Sequence, residues 1–185
     1  MIYRYLTLIV FALQSAYSAA VCIPNGGDGV LADESCAESD ISLSIPALAR
    51  VNQLNEFTLG EFDYVTTPED SNDFCIWYNT DQFALTVSSE NSVGDNVFAL
   101  QGLGTSVRIP YEVVWYDQTG NSGAEFNLSR LENVPQQQLS LPTQPVNSDC
   151  EENNTSIHVR VPLQNLENPP EGSYSDTLTV TVSVQ

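Results

Sequence analysis

The chain has 185 residues, with 24 acidic side chains against five arginines and no lysine, for a formal net charge of −19. A field of that sign repels phosphate backbones and anionic lipid, which excludes nucleic acid and acidic membrane surfaces as partners. With a single histidine and no GxSxG, HExxH or P-loop pattern, the sequence assigns no catalytic residue, no cofactor and no metal ligand.

Residues 1–20 carry one basic residue, Arg4, an apolar run from Leu6 to Leu13, and small residues at Ala16, Ser18, Ala19 and Ala20. That is the pattern of a cleaved signal peptide, and the run is too short to span a bilayer. The expectation is an exported protein without a membrane anchor. Residues 21–40 form a polar, Gly-rich extension with Cys22 and Cys36. Export makes the four cysteines a candidate pair of disulfides. Three pairings are possible. The preferred one joins Cys22 to Cys36 around a Gly- and Asp-rich loop, and Cys75 to Cys150 between the surroundings of two strands. In the chain-entropy picture the short loop contributes about 3 kcal/mol and the long one about 4 to 5 kcal/mol. Zinc is disfavoured, because no CxxC pair exists.

Residues 41–185 are one domain of ordinary size, and their periodicity is that of strands. Short runs at Ile41–Ile45, Phe74–Tyr78 and Asn96–Leu100 are bounded by Gly, Pro, Asn and Asp. Phe83, Leu85 and Val87 alternate with Ala84, Thr86 and Ser88, and Val107, Ile109, Tyr111, Val113 and Trp115 with Arg108, Pro110, Glu112, Val114 and Tyr116. Ile157, Val159, Val161 and Leu163 alternate with His158 and Arg160, which puts the lone histidine on a polar face. The acidic stretch from Pro68 to Asp73 lacks the DxDxDG spacing of a calcium loop. Residues 117–124 and 135–149 read as long loops, where binding residues often sit. Of Trp77, Tyr78, Trp115 and Tyr116, one in each strand must point into the core. The fold predicted is an all-β, immunoglobulin-like sandwich of seven or eight strands.

The last element is a strand in which Tyr174, Leu178, Val180, Val182 and Val184 face one way and Ser175, Thr177, Thr179, Thr181 and Ser183 the other. It is half buried, and its neighbour must come from earlier in the chain or from another molecule.

Several segments together resemble the chaperone–usher fimbrial subunits of bacteria, especially the spore-coat-U-like or Csu-type pilins and related alternate-pathway pilins. They are Ile41-Ser-Leu-Ser-Ile45 followed by Pro46-Ala-Leu-Ala-Arg-Val51, Leu59-Gly60, Asp73-Phe-Cys-Ile-Trp-Tyr78, Ile109-Pro-Tyr-Glu-Val-Val-Trp115, Asp149-Cys150, and the most specific, Gly172-Ser-Tyr-Ser-Asp-Thr-Leu-Thr-Val-Thr-Val182. The resemblance implies an incomplete sandwich completed by a donor strand. Ile41, Leu43 and Ile45 would be the donor, and Leu178, Val180, Val182 and Val184 one wall of the acceptor groove. It also implies as partners neighbouring pilin subunits, a periplasmic chaperone and an outer-membrane usher, with passage through the periplasm to a surface fimbria. The chain departs from these pilins in the extension before Ile41. Should Ile41–Ile45 complete its own domain, the alternative is a self-complemented secreted or tip-located adhesin.

Overall fold

The computed structural model describes residues 37, 39–93, 97–128, 139, 141 and 143–184. The expected signal peptide and the Cys22–Cys36 pair lie outside them. The chain divides between Ser44 and Ile45. In the first unit the described residues adopt no strand, and their side chains are exposed.

All ten described strands belong to the unit Ile45–Gln185. They are β1 (Ala49–Asn52), β2 (Glu69–Tyr78), β3 (Phe83–Ser89), β4 (Ala99–Gly102), β5 (Arg108–Pro110), β6 (Glu112–Gln118), β7 (Ser122–Asn127), β8 (Thr155–Arg160), β9 (Tyr174–Ser175) and β10 (Leu178–Val184), with a 3-10 turn at Leu163–Leu166. One sheet has the order β1-β2-β8-β6-β7, entirely antiparallel. Facing it are the pair β10-β3 and the three strands β5-β4-β9. Phe74, Ile76, Val113, Trp115 and Ile157 from the first layer meet Phe83, Val87, Phe98 and Ile109 from the second in one core. Trp115 is fully buried, edge-on to Phe83 with ring centroids 6.2 Å apart. The architecture is the expected all-β sandwich.

Three departures from the sequence pattern have local causes. The alternating run from Val107 to Trp115 is two strands in different layers. Ile109, Tyr111, Val113 and Trp115 all point into the core, but β5 pairs with β4 and β6 with β7 and β8. The backbone changes sheets at Tyr111 without breaking parity. Residues 117–124 are not a long loop: β6 runs directly into β7 through a turn in which Gly120 and Asn121 have φ of 66° and 54°. Two consecutive left-handed residues suit the twist of a hairpin. Ile41–Ile45 is not a strand, because none of its backbone groups is bonded to another described residue. A strand exists only against a partner.

The acidic segment Glu69–Asp73 is the first half of β2, in register with β8 from Glu69 opposite Arg160 to Phe74 opposite Thr155. Its carboxylates serve neighbouring backbone: Asp70 accepts from the Thr58 amide at 2.7 Å and Asp73 from the Gly120 amide at 2.8 Å. Tyr78 and Trp115 are the inward aromatics, while Trp77 and Tyr116 lie half-buried on the other face. His158 is outward too, with Nε2 3.4 Å from Glu69.

Cys75 and Cys150 form the expected disulfide, with Cα atoms 5.6 Å apart and a sequence separation of 75. Replacing both with serine should cost about 4.5 kcal/mol by loop entropy, read as a lower urea midpoint than that of the oxidised protein. An unchanged midpoint would mean that the cross-link constrains nothing the fold has not already fixed.

A candidate strand-acceptor edge

The C-terminal strand carries the geometry that bears on function. β10 pairs along its whole length with β3, from Leu178 opposite Ser89 to Val184 opposite Phe83. Immediately before it, the Thr177 carbonyl accepts from the Glu90 amide at 3.1 Å in the same register. In an antiparallel ladder only alternate residues exchange bonds with a given neighbour. Thr179, Thr181 and Ser183 therefore turn their N–H and C=O groups to β3, and Leu178, Val180, Val182 and Val184 turn theirs to the opposite edge. No described strand pairs with that edge.

Across it lies β1, close to β10 but not bonded to it. β1 pairs only with β2. Two open edges, one from each layer, thus flank the mouth of the core. The side chains there are half-buried and apolar: Leu178, Val180, Val182 and Val184 from β10, Ala49 and Val51 from β1, all packed against the core from its rim. Neither strand carries an acidic residue, although the chain as a whole is strongly anionic. An apolar floor beside unpaired backbone is the template for adding a strand.

Polar contacts hold both walls. On β1, Arg50 donates to the Ser148 carbonyl at 2.8 Å, and the Asn52 and Gln53 side-chain amides reach the Cys150 carbonyl, each at 3.4 Å. Asn52 stands opposite Cys75, so these contacts fasten β1 beside the disulfide. At the start of β10, the partly buried Asp176 carboxylate accepts from the Tyr111 hydroxyl at 2.7 Å, from the Ser89 hydroxyl, and from the Asn91 backbone and side-chain amides, each at 3.0 Å. It joins the β9–β10 junction to the corner where β5 becomes β6. Burial first, then the bond to Asp176 and its negative charge, raises the Tyr111 pKa.

Just before β1 the chain is tied to the end of β2. Leu48 donates to the Asn79 side chain at 2.7 Å, the Asn79 amide donates to the Leu48 carbonyl at 3.2 Å, and the Asn79 side chain donates to the Pro46 carbonyl at 2.8 Å. Ile45 is 74% exposed, Leu43 86% and Ile41 96%. Sequence reading singled out the even-numbered residues of β10 and these three aliphatics, but gave no role to Asn79, Asn52 or Gln53. Asp176 stood inside the quoted C-terminal motif without an assigned task.

No protein-family model matches the sequence, and no curated protein matches it. Among solved structures, similarity is found to a chain of the chaperone-tip adhesin complex of CFA/I fimbriae biogenesis, at 16% identity and a TM-score of 0.50, over 74% of this chain and 42% of that one. A chain of the CsuC-CsuE chaperone-tip adhesion subunit pre-assembly complex, from the archaic chaperone-usher Csu pili of Acinetobacter baumannii, matches at 17% identity and a TM-score of 0.41, over 76% of this chain and 40% of that one. This chain therefore spans less than half the length of either. The likeness is one of fold: the sandwich resembles that of the chain from the CFA/I chaperone-tip adhesin complex.

The geometry makes two predictions. Amide exchange followed by NMR should alternate along β10, with Leu178, Val180 and Val182 exchanging fast and Thr179, Thr181 and Ser183 protected; uniform protection would mean the edge is already paired. Tyr111→Phe should cost about 1 to 2 kcal/mol at neutral pH, measured by urea unfolding. Because the folded pKa is raised above the unfolded value, the Tyr111 contribution is complete below about pH 10 and declines as pH rises beyond it. The phenylalanine variant should accordingly lose less stability than the parent between neutral pH and about pH 11.

Proposed function

We propose that this protein is a structural subunit of a surface fimbria, assembled by donor-strand exchange. The observation that carries the reading is the open edge of β10, where Leu178, Val180, Val182 and Val184 offer both unpaired backbone and an apolar floor beside β1. The donor is Ile41-Ser-Leu-Ser-Ile45 of a neighbouring copy. Its three aliphatic side chains stand at every second residue, the spacing of one strand face, and are exposed in the isolated chain. Similarity to a chain of the chaperone-tip adhesin complex of CFA/I fimbriae biogenesis supports a periplasmic chaperone as the partner that covers the edge before assembly. An outer-membrane usher is the exit that this reading requires. The protein is exported, held in the periplasm and displayed at the surface. Its work is mechanical assembly and not catalysis.

The test is Leu43→Asp in the full chain, followed by size in solution and electron microscopy. A charge entering an apolar groove unpaired is strongly unfavourable, so the variant should form no fibres. Its unfolding free energy, measured in urea, should match that of the parent within about 0.5 kcal/mol, because Leu43 is exposed. It keeps its own acceptor edge and should terminate parent fibres when mixed with them. Normal fibres from the variant would overturn the donor assignment. A monomer that unfolds when Ile41–Ile45 is deleted would instead favour a self-complemented adhesin.

A further inference from the structure

A second concave site lies away from the strand-acceptor edge. It has a volume of about 950 Å³ and is lined by no residue of β1 or β10. Its floor is core: Ile109, Val161 and Leu166 are buried. Phe62, Tyr64 and Tyr174 supply aromatic surface in its lining. The Tyr174 hydroxyl donates to the Pro170 carbonyl at 2.8 Å, which fixes the ring. Tyr64 is 85% exposed, yet it is held at φ 65°, a left-handed conformation that is costly for a residue with a bulky side chain. The Asp63 carboxylate builds that turn by accepting from the Val65 amide at 2.9 Å, the Thr66 amide at 2.7 Å and the Thr66 hydroxyl at 2.8 Å. The Tyr64 ring then stands 5.1 Å from Phe62. A turn so fastened, presenting an aromatic ring that adds nothing to the core, calls for an occupant.

Charge decides which. Glu61, Glu167 and Glu171 also line the site, all exposed and none ion-paired with a described residue, and no arginine is among the lining residues. Carboxylates beside aromatic faces suit a cation with apolar flanks, since the ring face attracts positive charge and the carboxylate neutralises it. The chain itself is a poor source of that cation. It has no lysine, and the described arginines are engaged: Arg50 with Ser148 and Asp149, Arg108 with Gln101 and Ser92, Arg160 with Glu112.

We propose that the cavity formed by the Phe62–Tyr64 turn, the 167–171 segment and Tyr174 binds a peptide segment of a different protein, one with arginine or lysine next to aromatic side chains. This site is independent of donor-strand exchange.

The probe is the peptide Arg-Phe-Arg-Phe-Arg, titrated calorimetrically into the full chain at about 0.15 M salt, where long-range attraction is screened. Arg-Gly-Arg-Gly-Arg is the comparison. The phenylalanine peptide should bind more tightly. Glu167→Gln with Glu171→Gln should weaken it about tenfold, the sum of two exposed but favourable pairs. Glu151→Gln with Glu152→Gln, the same change of charge at exposed residues elsewhere, should weaken it less than about twofold. Tyr64→Asn, which tolerates the left-handed turn, should abolish the preference for phenylalanine over glycine. Equal losses from the two glutamate pairs would reduce the effect to general attraction by a polyanion and overturn the proposal. So would a missing phenylalanine preference in the parent, or no binding. None of these readouts measures polymerisation, so their failure leaves the acceptor-edge reading standing, and a failed Leu43→Asp test leaves this one standing.

Discussion

Extended backbone has to be paired, and the whole arrangement turns on β10, a seven-residue strand of the second layer that is bonded, among the described strands, to β3 alone. β10 commits the peptide groups of Thr179, Thr181 and Ser183 to β3. The peptide groups of the four residues between and around them face outward, next to their own apolar side chains. In a closed sandwich those side chains would be sealed beneath a further strand. Here they are half-buried, as are Ala49 and Val51 on the facing wall. The same residues thus report the open edge twice, once through hydrogen-bond geometry and once through incomplete burial.

An edge of this kind has to be held in shape without packing across the gap, and polar fasteners do so. β1 is only four residues long, and its position is fixed by Arg50, Asn52 and Gln53 reaching over to residues 148–151. The disulfide adjoins those contacts, because Asn52 is the register partner of Cys75. On the other wall a single carboxylate, Asp176, gathers Ser89, Asn91 and Tyr111 at the point where the C-terminal strand passes from β4 to β3. Each wall of the gap thus has its own polar fastener in addition to its packing on the core.

How far the sequence went can be read element by element. Phe83–Val87, Ile157–Val159 and Leu178–Val184 were legible because large apolar side chains alternate with small or polar ones, whereas Val113–Trp115 is buried on both faces and showed its parity only through the longer run from Val107. The first half of β2 was not: Glu69-Asp-Ser-Asn-Asp73 contains no apolar residue, and its pairing with β8 comes from tertiary context. The sheet change at Tyr111 was hidden because the inward parity continues straight through it. Glycines at 120 and 123 read as loop when they mark a tight hairpin. The open edge was half visible, since alternation revealed β10, while Ala49-Arg-Val-Asn52 is too short to declare itself as the opposing wall. The fasteners could not be found from pattern at all, because Asn79 and Asp176 act through distant partners that only the fold brings near.

The cross-link between Cys75 and Cys150 has a consequence for a chain under tension. Pulled from its two ends, the protein transmits force through β1 into β2, and then by the sulfur bridge directly to residue 150. The 74 residues between the cysteines, which include β3 to β7, are shielded from that load path. At about 3.4 Å per residue, the bridge withholds roughly 250 Å of extension that a reduced chain could yield. The oxidised domain is therefore a short tether with a hard stop, and its compliance lies in the residues before Cys75 and after Cys150.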